Sequence, residues 1–158
     1  MQPYQEEYIA NLKDIAVLTA HKNPAGRSYE VYRKELDKCR ELTMEKIARN
    51  MELLRDKLFP LLDSIFAAGD AELEDLEEFS RALLDGKNEL DSGLFCQIHR
   101  ALLTRARRTQ NRDAIIRHLY WLGIGHHSTC NKMVGLKLED SQKYISQMRL
   151  CFAEAAAY

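Results

Sequence analysis

The sequence predicts an all-α protein of six to seven antiparallel helices, either a closed helical bundle or a stack of helical hairpins. Three observations carry that expectation. Apolar residues recur at three- and four-residue spacings along almost the whole chain, the period of one helix face, and strand-like alternation is nearly absent. Glycine and proline number only 7 and 3, too few turn residues for a many-stranded sheet. The 158 residues, 46% hydrophobic and 30% charged, match one helical domain, long enough to bury a core without staples.

The first helix is expected from about Pro3 to His21, with Tyr4, Tyr8, Leu12, Ile15 and Thr19 on one face. Pro3 suits the first turn, where its missing amide costs nothing. Asn23-Pro24-Ala25-Gly26 then breaks the chain. Ser28 is the expected N-cap of a long helix reaching about Phe59. Its early stripe is Tyr29, Tyr32, Leu36 and Cys39, and its later stripe is Met44, Ile47, Met51, Leu54 and Leu58. The later stripe is either an intermolecular coiled-coil seam or, as we favour, the inner spine of a monomer. Pro60 interrupts this helix or opens a short one through Leu61, Leu62, Ile65 and Phe66, and Gly69-Asp70 marks a turn.

A further helix is expected from about Ala71 to Asp85, burying Leu73, Leu76, Phe79 and Leu83 and ending at Gly86. Asp91 or Ser92 caps the next, with Phe95, Ile98, Leu102 and Ala106 inward. Asn111 caps another that carries Ile115, Leu119, Leu122 and Ile124. Thr129, Asn131 and Gly135 fall in a looser stretch, and Asp140 or Ser141 leads the last helix with Tyr144, Ile145, Met148, Cys151 and Phe152. No stop signal follows Ala153, so this helix is expected to continue into a longer protein.

No basic start followed by an apolar run opens the chain, and the longest apolar stretches are about four or five residues, against roughly 18 for a membrane span. A cytoplasmic protein with no membrane partner follows as the expectation. Its four cysteines, Cys39, Cys96, Cys130 and Cys151, are expected to be reduced.

The net charge of −1 hides a segregation. Asp70 to Asp91 carries a net −7, and Arg100 to Arg117 a net +5. The simplest expectation is two solvated helix faces that attract each other, each pair worth about 0–1 kcal/mol. The sharper one is a docking surface for phosphate, nucleotide or an acidic partner, centred on Arg105, Arg107, Arg108 and Arg112. Nucleic acid is disfavoured, because aromatic residues are not interleaved with the arginines.

Two further constellations involve histidine. Cys96-x2-His99 and His126-x3-Cys130 have the spacing of two halves of a metal site, although Cys96 and His99 also flank an ordinary apolar stripe. Reduced cysteines with no metal are the favoured expectation, and no cofactor is implied. His118, His126 and His127, with Tyr120 and Trp121, are candidates to line a small-molecule pocket between helices, against the simpler expectation that Trp121 is core. Catalytic motifs are missing: there is no phosphate-cradling glycine loop, Gly-x-Ser-x-Gly elbow, His-Glu-x-x-His or Glu-x-x-His.

Leu119-x-x-Leu122-Gly123-x-x-His126 is similar to the first helix of a tetratricopeptide repeat. More widely, His118-Leu-Tyr-Trp-Leu-Gly-Ile-Gly125, Asn131-Lys-Met-Val-Gly-Leu136 and the run from Tyr144 to Tyr158 resemble the N-terminal helical region of bacterial diguanylate cyclase signalling proteins. There, a tetratricopeptide-like module precedes a GGDEF output domain. The resemblance implies an intracellular regulatory module without catalysis of its own, whose partner is its own output domain, another protein or a second copy. The Gly-Gly-Asp/Glu-Glu-Phe signature is missing here, so the resemblance transfers no catalytic residue. The alternative expectation is a helical metal- or small-ligand-dependent enzyme or binding protein built on the His/Cys cluster.

Overall fold

Caps and breakers in the sequence set the helix boundaries. The computed structural model describes residues 1–20, 22, 27–86, 89–133 and 135–158. Its elements are α1 (Pro3–Thr19), α2 (Tyr29–Leu53), a π-helical turn (Leu54–Leu58), α3 (Phe59–Asp63), a 3₁₀ turn (Ile65–Ala67), α4 (Asp70–Leu84), α5 (Glu89–Arg108), α6 (Arg112–Lys132) and α7 (Leu138–Ala157). Among the described residues there is no strand, and no helix is long and apolar enough to cross a membrane. The expected break over residues 23–26 lies outside the described residues.

Packing separates two compact units, Gln2–Pro60 and Leu61–Tyr158 with Met1. In the first, α1 packs on α2. The seam is polar: Asn11 Nδ2 donates to Asn50 Oδ1 at 2.9 Å, and Asn50 Nδ2 donates to the Tyr8 carbonyl at 3.3 Å. Both asparagines are buried, which these hydrogen bonds permit. This pairing rotates α2 away from the expected spine. Met44, Ile47 and Met51 are exposed, whereas Asn50 and Leu53 are buried. Pro60 explains the π turn. A proline ring clashes with the carbonyl four residues back, and widening the preceding turn relieves this, so the Phe59 amide reaches Leu54 O.

In the second unit the helices pack in chain order, α4 on α5, α5 on α6 and α6 on α7. The Glu72 carboxylate accepts from the Gly69 amide at 2.8 Å and starts α4, which buries Leu76, Phe79 and Leu83. Helix α5 starts at Glu89, so Asp91 and Ser92 lie inside its first turn, both buried, rather than at the expected N-cap position ahead of it. Phe95, Ile98, Leu102 and Ala106 form its core stripe, as the spacing predicts. Helix α6 runs on to Lys132, so Thr129 and Asn131 are helical and not in a looser stretch. Thr129 Oγ1 donates back to the Gly125 carbonyl at 2.8 Å, which satisfies the hydroxyl within the helix. Gly135 lies between α6 and α7 with φ +70°, and α7 begins at Leu138, two residues before the expected cap.

The α5–α6 turn is a Schellman closure. The Gln110 amide donates to Arg107 O at 3.2 Å and the Asn111 amide to Ala106 O at 3.0 Å. Asn111 then caps α6 through Oδ1, which accepts from the Ala114 amide at 3.1 Å. One residue thus closes α5 and opens α6. Gln110 holds φ +52° there, in the left-handed region that glycine tolerates better. Gln110→Gly should therefore raise stability by up to about 1 kcal/mol in urea unfolding.

Glycines at two places in this unit have opposite surroundings. A Cβ on Gly125 would sit 2.6 Å from Cys96 Sγ and 2.8 Å from Phe95 Cδ1, both buried, whereas one on Gly93 would meet nothing within 4 Å. Gly93→Ala should stabilise by about 1 kcal/mol through helix propensity. Gly125→Ala should destabilise, because overpacking costs about 1–3 kcal/mol and outweighs that gain. Adding Cys96→Ala to Gly125→Ala should restore part of the loss. Thermal and urea unfolding of these variants check the assignments.

Candidate functional site

Polar residues interrupt the apolar stripes of three consecutive helices at one level. Ser80 follows the buried Phe79 on α4, His99 follows the buried Ile98 on α5, and His118 precedes the buried Leu119 on α6. Ser80 and His99 are 19 apart in sequence, as are His99 and His118, so each returning helix brings the next residue to the same depth. Ser80 Oγ lies 2.9 Å from His99 Nε2, and His99 Nδ1 lies 3.1 Å from His118 Nδ1. All three side chains are buried.

The proton positions follow from one fact. Ser80 Oγ donates its only proton to the Glu77 carbonyl at 2.7 Å, since a carbonyl can only accept. Ser80 Oγ must then accept from His99 Nε2–H. Neutral His99 is left with a lone pair on Nδ1, which accepts from His118 Nδ1–H. His118 Nε2 therefore carries a lone pair. Glu77 Oε1 lies 3.7 Å from it, beyond hydrogen-bond length. Arg117 Nη2 donates to that same Oε1 at 3.0 Å.

Burial keeps both rings neutral. It pushes His99 down to about 3, helped by the charges that His118 and Arg117 would place beside it. Burial also lowers His118, against the opposing pull of the Glu77 carboxylate. Phe95 stacks at 4.4 Å from the His99 ring, and the Trp121 ring lies 6.2 Å from it, so the surroundings are aromatic.

His118 also lines a cleft of about 450 Å³ formed by α4, α5 and α6. Asp70, Glu74 and Glu77 line it from α4, Arg105 from α5, and Arg117 from α6, with Leu73, Leu102 and Ala106 adding apolar surface. Of the residues singled out from sequence, Arg105 and His118 line this cleft.

The arginines singled out from sequence also make contacts within the fold. Arg105 Nη1 donates to the carbonyls of Ile65 and Phe66 at 2.7 and 3.1 Å and holds the 3₁₀ turn. Arg108 lies over the Phe66 ring at 4.4 Å. Arg107 pairs with Glu154 of α7, and Arg112 donates to the Tyr158 carbonyl. Arg117 of the basic segment pairs with Glu77 of the acidic one, whereas Arg105 and Arg108 hold the 3₁₀ turn and Arg107 and Arg112 hold α7.

Trp121 is half-buried, with its ring 6.2 Å from Phe95 in an edge-on arrangement. His126 is buried about 12 Å further along α6 than His118, and burial lowers its pKa. Cys96 and His99 are buried, and Cys130 is half-buried. Among the described residues no three His, Cys, Asp or Glu side chains form a metal-binding group, so Cys96, His99, His126 and Cys130 are not brought together as one. All four cysteines are free thiols, and burial pushes Cys96 up to about 11. Sequence reasoning missed Ser80 and Glu77. The available signal was a polar residue inside an apolar stripe, repeated at equal spacing on successive helices.

No family model, curated protein or solved structure matches this chain.

A pH dependence follows from the two depressed histidines. In the unfolded chain each titrates near 6.5. Below that value the unfolded state binds protons that the folded state refuses, so stability is full above about pH 6.5 and falls on acidification. The loss should reach about 1.4 kcal/mol per pH unit for each ring. Urea unfolding from pH 7 to pH 5 measures it, and His118→Asn should flatten the slope.

Proposed function

We propose that this chain is a non-catalytic sensory and protein-interaction module of a bacterial cytoplasmic signalling protein, regulating an output domain through α7. On the resemblance of residues 118–158, the output domain is a diguanylate cyclase and the module is tetratricopeptide-like. That stretch is α6, α7 and their connection.

The observation that supports this reading best is how closely α7 follows α6. A Cβ on Gly123 would lie 2.4 Å from Phe152 Cε1, so the Phe152 ring occupies the space that the glycine leaves. Arg107 and Arg112 fasten the far end of α7 near the α5–α6 turn. A shift of α6 cannot be absorbed at so tight a contact and passes to α7. The cleft of α4, α5 and α6 supplies the place where a signal would act on α6.

Phe152→Ala loosens this contact. In the parent polypeptide, cyclic dinucleotide formation from GTP should change by about fivefold or more, the lower end of usual allosteric coupling. Circular dichroism should stay helical. Unchanged synthesis, or a gene that encodes no output domain after Tyr158, removes the reading.

A further inference from the structure

Helix α2 carries an apolar stripe that stays open to solvent. The spacing of Met44, Ile47 and Met51 places them on one face, yet they are 65%, 41% and 58% exposed. Ala48, also exposed, falls on the same face. The cause lies on the other side of the helix. Asn50 is buried there, bonded to the Asn11 side chain and the Tyr8 carbonyl of α1. Turning α2 to bury the methionines would take Asn50 from both partners, so the polar seam holds the apolar stripe outward.

The charges beside the stripe are ordered in a particular way. Each residue advances 100° around a helix, so Glu41, Ala48 and Arg55, seven apart, lie along one flank of the stripe. An acid thus sits seven residues before Ala48 and a base seven residues after it. All three are exposed. Arg55 bonds to the adjacent Asp56 at 2.7 and 3.1 Å, and its five guanidinium donors leave it able to serve a second carboxylate.

We propose that a second copy of this chain covers the stripe, with the two α2 helices antiparallel about a two-fold axis near Ala48. Such an axis lays each flank against itself in reverse order. Glu41 then meets Arg55 of the second copy, and the same pair recurs on the other side of the axis. A reversal of charge about one point is the self-complementarity that a two-fold interface requires. Parallel packing is disfavoured, because Arg33 and Arg40 continue the stripe toward the N-terminus and would each face their own copy. Met44, Ile47 and Met51 form the apolar centre. From Glu41 to Arg55 the seam is about 21 Å long. That is short for an obligate interface, so the dimer is weak and reversible. The inference concerns α2 alone and stands apart from the signalling reading.

Sedimentation equilibrium of the chain of residues 1–158, from about 5 to 500 μM, covers the range of a weak dimer and should show reversible monomer–dimer exchange. Ile47→Lys and Met51→Lys alter exposed positions, so circular dichroism and urea unfolding should stay close to the parent. Each should nevertheless weaken dimerisation by about tenfold or more, because the seam would then enclose unpaired ammonium groups. Glu41→Arg and Arg55→Glu each set like charges against one another and should each weaken dimerisation by about fivefold. An equal mixture of these two single variants should pair about as tightly as the parent, since each copy supplies the charge that the other has lost.

A chain that is monomeric over the whole range overturns the proposal and gives the stripe to a partner of another sequence. A dimer insensitive to both lysine variants overturns it too, because the interface is then elsewhere. A mixture that pairs no better than its components overturns the antiparallel pairing.

Discussion

The hydroxyl proton of Ser80 has one place to go, and the carbonyl of Glu77 takes it. From that choice the directions of the Ser80–His99 and His99–His118 hydrogen bonds follow, which leaves the proton of His118 on Nδ1. Such a chain constrains the packing more tightly than apolar contact does. An apolar stripe can slide with modest loss, but a buried polar group that loses its partner costs about 1–3 kcal/mol. A one-residue slip of α5 would break both of the bonds His99 makes. The registers of three helices are thereby tied to one another, and the cleft geometry is tied to those registers.

Close approach is the second constraint, and α6 is its centre. Gly123 and Gly125 are two residues apart, which turns them about 200° around the helix. They therefore face opposite neighbours: Gly125 receives Phe95 and Cys96 of α5, and Gly123 receives Phe152 of α7. Helix α6 is packed tightly on both sides at one level. The same helix carries His118 into the cleft and Arg112 toward the end of α7. The cleft and α7 thus share one helix, α6.

The arginines of the basic segment make local contacts. Arg105 and Arg108 secure the 3₁₀ turn over residues 65–67, while Arg107 and Arg112 secure α7. Asp70 and Glu74 from α4 and Arg105 from α5 line the cleft. In the Gln2–Pro60 unit, the Asn11–Asn50 bond has a comparable ordering effect, because it selects which face of α2 meets α1.

The sequence by itself determined the helices. Their periodicity, the caps at Ser28 and Asn111, and the punctuation at Pro60, Gly69 and Gly86 are local chemistry, and local chemistry is legible residue by residue. The core stripes of α4 and α5 followed for the same reason. Periodicity failed where a buried polar pair outweighed it, as on α2, where Asn50 went inward and Met44, Ile47 and Met51 outward. It failed again at Thr129 and Asn131, which α6 includes, with the Thr129 hydroxyl satisfied inside the helix by the Gly125 carbonyl. His118 and Arg105 were recognisable as candidates, but their roles were not. Which nitrogen of His118 bears a proton depends on Ser80 and His99, residues 38 and 19 positions away in sequence. Only the tertiary structure decides that, because a hydrogen bond needs its partners within about 3 Å, and the spacing along a chain does not specify the distance across a fold.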